Sequence, residues 1–182
     1  TLFEKKHYPF HRVCGEYVSN EVKNFLITNR LFPEINLPSI TKFQYTSVKG
    51  KSMEMPLDLG AFGVSRHYFD NFLVEKARKS GVKLKEGYTI VDVSKHGEIF
   101  QVEDNQGHFY EADLVIGAYG KTSRIDKKFD RAFTQKPSPY IGVKYHIQTD
   151  FAKDKIALHN FEGGYCGLSA IEDNKYNLCY LG

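Results

Sequence analysis

The chain has 182 residues, of which 41% are hydrophobic and 26% charged, and its formal net charge is +3. This composition predicts a soluble globular protein made of one domain, or of one domain and part of another. It excludes a membrane span, because no apolar run approaches the ~20 residues that a span needs. At most, peripheral membrane contact is expected, and the scattered basic residues argue against a nucleic-acid partner.

The cysteine and histidine content points away from metal and disulfide chemistry. The cysteines are odd in number and lack the spacing of metal ligands: they are Cys14, Cys166 and Cys179. We therefore expect reduced thiols in a cytoplasmic protein that has no metal site. The histidines are also without ligand spacing, and we interpret four of them as structural or surface groups: His11, His67, His146 and His159.

The N-terminal third predicts a strand, a helix and a hairpin. A short strand over residues 1–4 ends in a carboxylate, and Ser19 has the position of an N-cap for a helix over 20–29. Loose alternation of apolar and polar residues over 40–59, with Gly50 near its middle, predicts a β-hairpin.

A second helix is predicted for the segment "GVSRHYFDNFLVEKARKSGV". Ser65 is its expected N-cap, Gly81 its expected C-terminal stop, and basic residues occupy the last turn. The pattern predicts that one stripe of this helix faces the core, formed by Phe69, Phe72, Leu73 and Ala77.

The rest of the chain is predicted to form mainly β-structure. A short strand over 82–84 directly after the helix is typical of a parallel sheet, and three runs with intervening turn residues predict an antiparallel meander over 88–93, 99–103 and 108–112. The apolar segment "ADLVIGAYG" predicts a strand buried on both faces of a parallel sheet. Beyond residue 139, four long antiparallel strands are expected over 141–148, 155–162, 165–170 and 176–181.

Glu4 ends the first predicted strand. Doubly wound dinucleotide-binding domains place an acid at the end of the second strand, ~20 residues beyond a G-x-G-x-x-G turn, where it binds the adenosine ribose. The 182 residues contain no such turn. We therefore expect the first strand, turn and helix to precede Thr1, in a longer protein. The alternative is an ordinary exposed carboxylate at a strand end.

Four segments in order resemble flavoprotein reductases and monooxygenases of the geranylgeranyl reductase and para-hydroxybenzoate hydroxylase superfamily. They are "FEKKHYPFHRVCGEYVS", "GVSRHYFDNFLVEKARKSGVKL", "ADLVIGAYGKTSRID" and "GGYCGLSAIEDNKYNLCYLG". The resemblance implies an α/β fold: part of a Rossmann-like FAD-binding domain with a β-meander, plus the start of an antiparallel-sheet substrate domain. The FAD-binding domain would comprise 1–38 and 60–126, and the substrate domain 39–59 and 127–182.

The resemblance also implies FAD as the cofactor, with NAD(P)H as a candidate reductant. Cys14 and Gly15 are expected near the flavin ring. Tyr119 stands where the family usually has an aspartate linked to nicotinamide recognition. The residues implied for FAD binding are Glu4, Lys5, Arg12, Cys14, Arg66, Val91, Gly117, Gly120 and Ser123.

Each of these residues also has an ordinary structural interpretation. Arg12 and Arg66 could be surface cations, Cys14 a small buried apolar residue, and Val91 a strand valine. Arg66 is informative because a cation in the first turn of a helix opposes the helix dipole, so an anionic partner is expected beside it.

Three functions follow from the resemblance. The leading hypothesis is an FAD-dependent oxidoreductase that reduces double bonds of an unsaturated, lipid-like or polyene substrate, which is small and apolar. The second is a flavin-dependent monooxygenase or halogenase that acts on an aromatic or carrier-bound substrate. The third is a flavin- or nucleotide-binding module without turnover.

Overall fold

The computed structural model describes residues 1–120, 123–135 and 138–182 and divides into two compact units. The first unit contains residues 1–8 and 80–139, and the second contains residues 9–79 and 140–182. The second unit therefore takes in residues 9–38 and 60–79, which the sequence assigned to the FAD-binding domain. Those domain boundaries stay a prediction.

The first unit contains both short strands that the sequence predicts, at 1–4 and 82–84, and the predicted meander. β1 (Leu2–Glu4) pairs in parallel with β5 (Leu84–Glu86), and Glu4 lies opposite Glu86 at the carboxyl ends of the two strands. The antiparallel meander consists of β6 (Ile90–His96), β7 (Ile99–Asp104) and β8 (Phe109–Ala112). Helix α3 (Arg124–Lys128) follows the meander.

One prediction for this unit is wrong. Residues 113–120 of "ADLVIGAYG" form no strand, and Leu114 and Ile116 are 71% and 81% exposed. A doubly buried strand needs a hydrogen-bonded neighbour on each side. In the described part of the unit the parallel sheet has two strands only, β1 and β5, and neither pairs with this segment.

The second unit is built on a seven-stranded sheet with the order β2-β4-β3-β10-β11-β12-β9. The predicted hairpin and the four predicted late strands all lie in it. The hairpin pairs with the later strands in parallel, through β3 and β10, so the sheet is mixed. The strands are β2 (Tyr17–Ser19), β3 (Ser39–Thr46), β4 (Ser52–Gly63), β9 (Gly142–Ile147), β10 (Lys155–Phe161), β11 (Gly164–Ala170) and β12 (Tyr176–Leu181).

The helices of this unit begin at the predicted caps. Ser19 precedes a 3₁₀ turn over Asn20–Val22 that leads into α1 (Lys23–Thr28). Helix α2 (Arg66–Lys79) starts after Ser65, whose Oγ accepts a hydrogen bond from the Tyr68 amide at 3.0 Å.

The apolar core of the second unit lies between these helices and β4. Leu26, Phe62 and Val64 form its buried centre, and Phe69 packs against it from the predicted stripe of α2. Val74 is buried in α2, although the predicted stripe did not include it. The predicted α/β class is confirmed. In the described ranges, none of the helices has the length and apolar character needed to cross a membrane.

Candidate functional site

A buried carboxylate, Glu16, is the centre of a polar cluster in the second unit. Its side chain is fully buried, and its backbone has a left-handed φ of 53°. Glutamate seldom adopts this conformation, which costs ~1–2 kcal/mol relative to the right-handed region. The surrounding contacts must therefore hold Glu16 in place, and the hydrogen bond from the Val64 amide to the Glu16 carbonyl, at 3.1 Å, is one of them.

Three groups contact the Glu16 carboxylate. Lys144 Nζ and the Arg66 amide donate to Oε1 at 2.6 and 2.8 Å, and His146 Nε2 contacts Oε2 at 2.6 Å. The Lys144 side chain is 5% exposed and that of His146 is 17% exposed. Such a buried cation is tolerated because a carboxylate lies directly beside it.

The strand geometry explains how Lys144 and His146 reach the same carboxylate. Side chains two residues apart in a strand point to the same face of a sheet, so both residues of β9 project from one face. Asn177 lies opposite His146 in the register, and Ser169 lies opposite Asn177. This row of polar side chains crosses β9, β12 and β11.

The loop that contains Cys14, Gly15 and Glu16 lies across this polar row. Asn177 Nδ2 donates to the Cys14 carbonyl at 3.1 Å, and Ser169 Oγ donates to the Gly15 carbonyl at 3.4 Å. The Glu16 carboxylate is in hydrogen-bond contact with the side chains of Lys144 and His146. The loop is therefore fixed on the sheet by hydrogen bonds from three strands.

The start of helix α2 meets two protein carboxylates. Glu16 accepts from the Arg66 amide, and Glu172 Oε2 accepts from the Ser65 amide at 2.8 Å. Amides at a helix N-terminus lack intrahelical partners and favour negative charge. Both carboxylates are buried, so they stabilise the helix start from inside the unit.

Asp70 supplies the anionic partner that the sequence required for Arg66. The Arg66 guanidinium binds Asp70 through two hydrogen bonds of 2.6 and 2.8 Å, and Arg12 Nε contacts the same carboxylate at 3.1 Å. The hydrogen bond to Asp70 raises the pKa of Arg66, and a weaker contribution comes from Cys14. Arg12 also lies over the Phe10 ring at 4.4 Å.

A cavity of about 620 Å³ opens beside this cluster. Its aromatic wall contains His11, whose ring stacks on that of His67 at 4.5 Å and meets the His146 ring edge-on at 5.1 Å. Partial burial lowers the pKa of His11, and the neighbouring His67, Lys144 and His146 lower it further. The remaining wall includes Ser65, Tyr68, Ile147, Gln148 and Glu172.

The cysteines are free thiols. Burial raises the pKa of Cys179, and the nearby Cys14 and Cys166 raise it further. Burial also raises the pKa of Cys166. A raised pKa keeps a thiol protonated, and a protonated thiol is a poor nucleophile, so these two cysteines suit a structural role.

The first unit holds a second polar cluster around Asp104. Burial raises the pKa of this carboxyl, but hydrogen bonds from Tyr110, from the amides of His108 and Gln106 and from the His108 ring outweigh it and lower the pKa to about 2. Lys85 lies 4.8 Å from the centre of the Tyr110 ring, and the Phe3 ring also lies 4.8 Å from it. These contacts join β1 and β5 to the meander.

The predicted cofactor residues divide between the two units, and their role stays a prediction. In the first unit, Glu4 Oε1 accepts from the Lys6 amide at 3.0 Å, and Lys5 is exposed. Val91 lies at a bulge between β6 and β7. Ser123 caps α3, Gly120 has a φ of 80°, and Gly117 lies close to the Tyr119 ring.

The remaining predicted residues belong to the second unit: Arg12, Cys14, Gly15 and Arg66. The structure brings these four together around Glu16 and Asp70, which the sequence analysis did not assign. Two signals could have found the cluster. One is the acid that directly follows the Cys-Gly pair, and the other is the Lys-x-His spacing on a predicted strand.

Comparisons with known proteins place the chain among flavoproteins. The family model described as tryptophan halogenase matches residues 32–137, which is more than half of the chain. The FAD-dependent monooxygenase atnA of Arthrinium sp is 41% identical over 76 residues, covering 41% of this chain and 10% of that protein. Protein FixC of Escherichia coli K12 is 31% identical over 110 residues, covering 58% of this chain and 26% of that protein.

The fold is shared with solved flavoprotein structures. The myxobacterial chondrochloren halogenase CndH, described as a variant of FAD-dependent halogenases, superposes with a TM-score of 0.71 at 15% identity. The superposition covers 99% of this chain and 46% of CndH. The chain thus spans about half of that structure and a smaller part of the two relatives.

Proposed function

The chain belongs to the tryptophan halogenase family, and from this premise we propose that it forms part of an FAD-dependent enzyme that oxygenates or halogenates an aromatic or carrier-bound substrate. The supporting observation is the agreement between the family match, the monooxygenase relative and the halogenase fold. These comparisons favour the second hypothesis from the sequence over the reduction of double bonds in a lipid-like substrate.

The first unit offers residues that suit the adenosine half of FAD. Ligands of open α/β sheets bind outside the carboxyl ends of parallel strands. Glu4 lies at that end of β1, and its carboxylate can accept hydrogen bonds from ribose hydroxyls. Lys5, Val91, Gly117, Gly120 and Ser123 remain the proposed further contacts in this unit.

The second unit offers cations and a fixed loop. Arg12 and Arg66 both contact Asp70, and their guanidinium groups suit a phosphate because a guanidinium can bind phosphate oxygens through two parallel hydrogen bonds. Cys14 and Gly15 have their carbonyls bound to the sheet, so the loop that we propose for the flavin ring is preorganised. Bound FAD would supply the redox chemistry, and NAD(P)H is proposed as its reductant.

The cavity beside His146 is the proposed substrate site. Its imidazole and tyrosine rings offer flat surfaces to an aromatic ring, and Ser65 and Gln148 offer polar groups that can orient it. In this wall, Glu16 contacts His146 directly.

An anaerobic reduction experiment tests the proposal. The protein is reconstituted with FAD, the flavin is bleached with dithionite or NAD(P)H, and a phenol or an indole is added with oxygen, with and without chloride or bromide. We expect oxygen-dependent re-oxidation with an oxygenated or halogenated product. Re-oxidation by an unsaturated lipid without oxygen would instead support double-bond reduction, and a redox-silent flavin would support a binding module.

A further inference from the structure

Glu16 and His146 form a carboxylate–imidazole pair whose tautomer is set by the contacts around it. Glu16 already accepts hydrogen bonds from Lys144 and from the Arg66 amide, as an ionised carboxylate does. An ionised carboxylate can only accept, so Nε2 of His146 must donate in the 2.6 Å contact. In the neutral ring the other nitrogen, Nδ1, is then a proton acceptor.

His146 also lines the cavity described above. The ring lines the cavity of about 620 Å³ and is edge-on to His11. Within the described ranges, the contact with Glu16 is the hydrogen bond that the ring makes, so Nδ1 has no protein partner there. A buried carboxylate that orients an imidazole, and a cavity that the imidazole lines, are the components of a general base.

We propose that His146 is the proton acceptor of this cavity and takes the proton of an aromatic hydroxyl group, with Glu16 and Lys144 as positioning residues. The proposal rests on the proposed function in so far as that function requires an aromatic substrate. In the step, the O–H bond of the hydroxyl breaks and an N–H bond forms at Nδ1. The products are a phenolate and an imidazolium, and no group is oxidised or reduced.

The charges around His146 support this direction of transfer. Glu16 contacts both Lys144 and His146, so the positive charge that the transfer creates on His146 forms directly beside a carboxylate. The phenolate that forms then compensates the new positive charge. The other titratable groups that line the cavity are His11 and His67 on its aromatic wall, and Tyr68, Glu172, Asp173 and Lys175.

An aromatic ligand suits the wall next to Nδ1. His11 and His67 present stacked rings, and Tyr68 and Ile147 add apolar surface. Burial lowers the pKa of His11, which favours the neutral ring that can stack without adding charge. The pocket therefore combines aromatic stacking surface with one oriented proton acceptor.

The test uses 4-nitrophenol, because its phenolate is yellow and its ionisation can be read directly. We titrate the probe optically when it is bound to the flavin-free protein. We expect the bound probe to ionise ~1–3 pH units lower than the free probe, as a phenolate does beside a cation. His146→Gln should abolish this difference while retaining binding of the probe.

Two further variants separate a chemical role from a structural one. Glu16→Gln can donate its amide to Nε2 and so place the proton on Nδ1, which should abolish the early ionisation through the wrong tautomer. Because this substitution also removes the counter-charge of Lys144, its titration is interpreted only under conditions where circular dichroism shows that the variant is folded and where it still binds the probe. His159→Gln is the matched control, because His159 lies on the opposite face of the same sheet and should leave the titration unchanged.

Failure to bind 4-nitrophenol, ionisation at the pH of the free probe, or early ionisation that survives His146→Gln would each overturn the proposal. Because the titration needs no flavin, its outcome is independent of the redox experiment. Early ionisation in a protein without flavin turnover would leave this proposal standing and refute the proposed function.

Discussion

Replacing Glu16 with glutamine tests whether the buried cluster holds the second unit together. The substitution keeps the shape of the side chain but leaves the Lys144 ammonium, which is 5% exposed, without a counter-charge. Removing one partner of a buried ion pair costs ~3–5 kcal/mol, because the remaining charge stays desolvated. Since a domain is stable by only ~5–15 kcal/mol, the loss is a large part of the total.

The chain contains no Trp, so unfolding cannot be followed by tryptophan fluorescence. The free energy of unfolding can instead be measured by urea titration with circular dichroism. For a loss of ~4 kcal/mol and an m-value of ~2 kcal/mol per M, the midpoint should fall by ~2 M. Hydrogen exchange localises the effect, because the Val64 and Arg66 amides bind Glu16 and should lose protection first. Glu34→Gln, at an exposed position, should change stability by less than ~0.5 kcal/mol.

A double-mutant cycle with Lys144→Met completes the experiment. The combined variant has no unpaired buried ammonium, so it should be more stable than Glu16→Gln alone by more than ~1 kcal/mol. A loss below ~1 kcal/mol for Glu16→Gln, which is the size of an exposed ion pair, would refute the argument. So would strictly additive effects of the two substitutions.

Further substitutions test other parts of the fold. The pKa of Asp104 is lowered from 3.8 to about 2, so its contribution to the free energy of unfolding is present above pH 3.8 and is lost as the pH falls through about 2. Hydrogen exchange of the meander amides, measured as a function of pH, should show this loss. Asp104→Asn should remove the pH dependence. Ser65→Ala removes the cap of α2 and should cost ~1 kcal/mol in urea unfolding. Gly63→Ala would place a Cβ 1.8 Å from the Ala170 carbonyl oxygen, so the unit should lose ~1–3 kcal/mol of stability; unchanged thermal stability would show that the strands can separate there.

Several elements could be predicted because their signals are local. Helix α2 lies between the expected Ser65 cap and Gly81, and the hairpin turns at Gly50, whose φ is 78°. The meander and the four late strands also occur close to their predicted bounds. Caps, turns and alternation depend on neighbours within a few residues, which a sequence displays directly.

The segment "ADLVIGAYG" shows where such local signals fail. Its apolar composition indicates a buried strand, but burial depends on hydrogen-bonded neighbours on both sides. In the described part of the unit neither parallel strand pairs with it, and Ile116 is 81% exposed. Composition indicates what a segment can bury, whereas pairing decides whether it is buried.

The sequence by itself determined the α/β class, the order of the strands along the chain, the start of α2 and the resemblance to flavoproteins. Only the tertiary structure decided the site, because Lys144 and His146 are 128 and 130 residues away from Glu16 in the chain. Sheet register, which no local pattern records, brings Ser169, Asn177 and His146 into one row beneath the loop. A buried charge is stable only beside its partner, so the role of Glu16 depends on contacts that exist only after the sheet has formed.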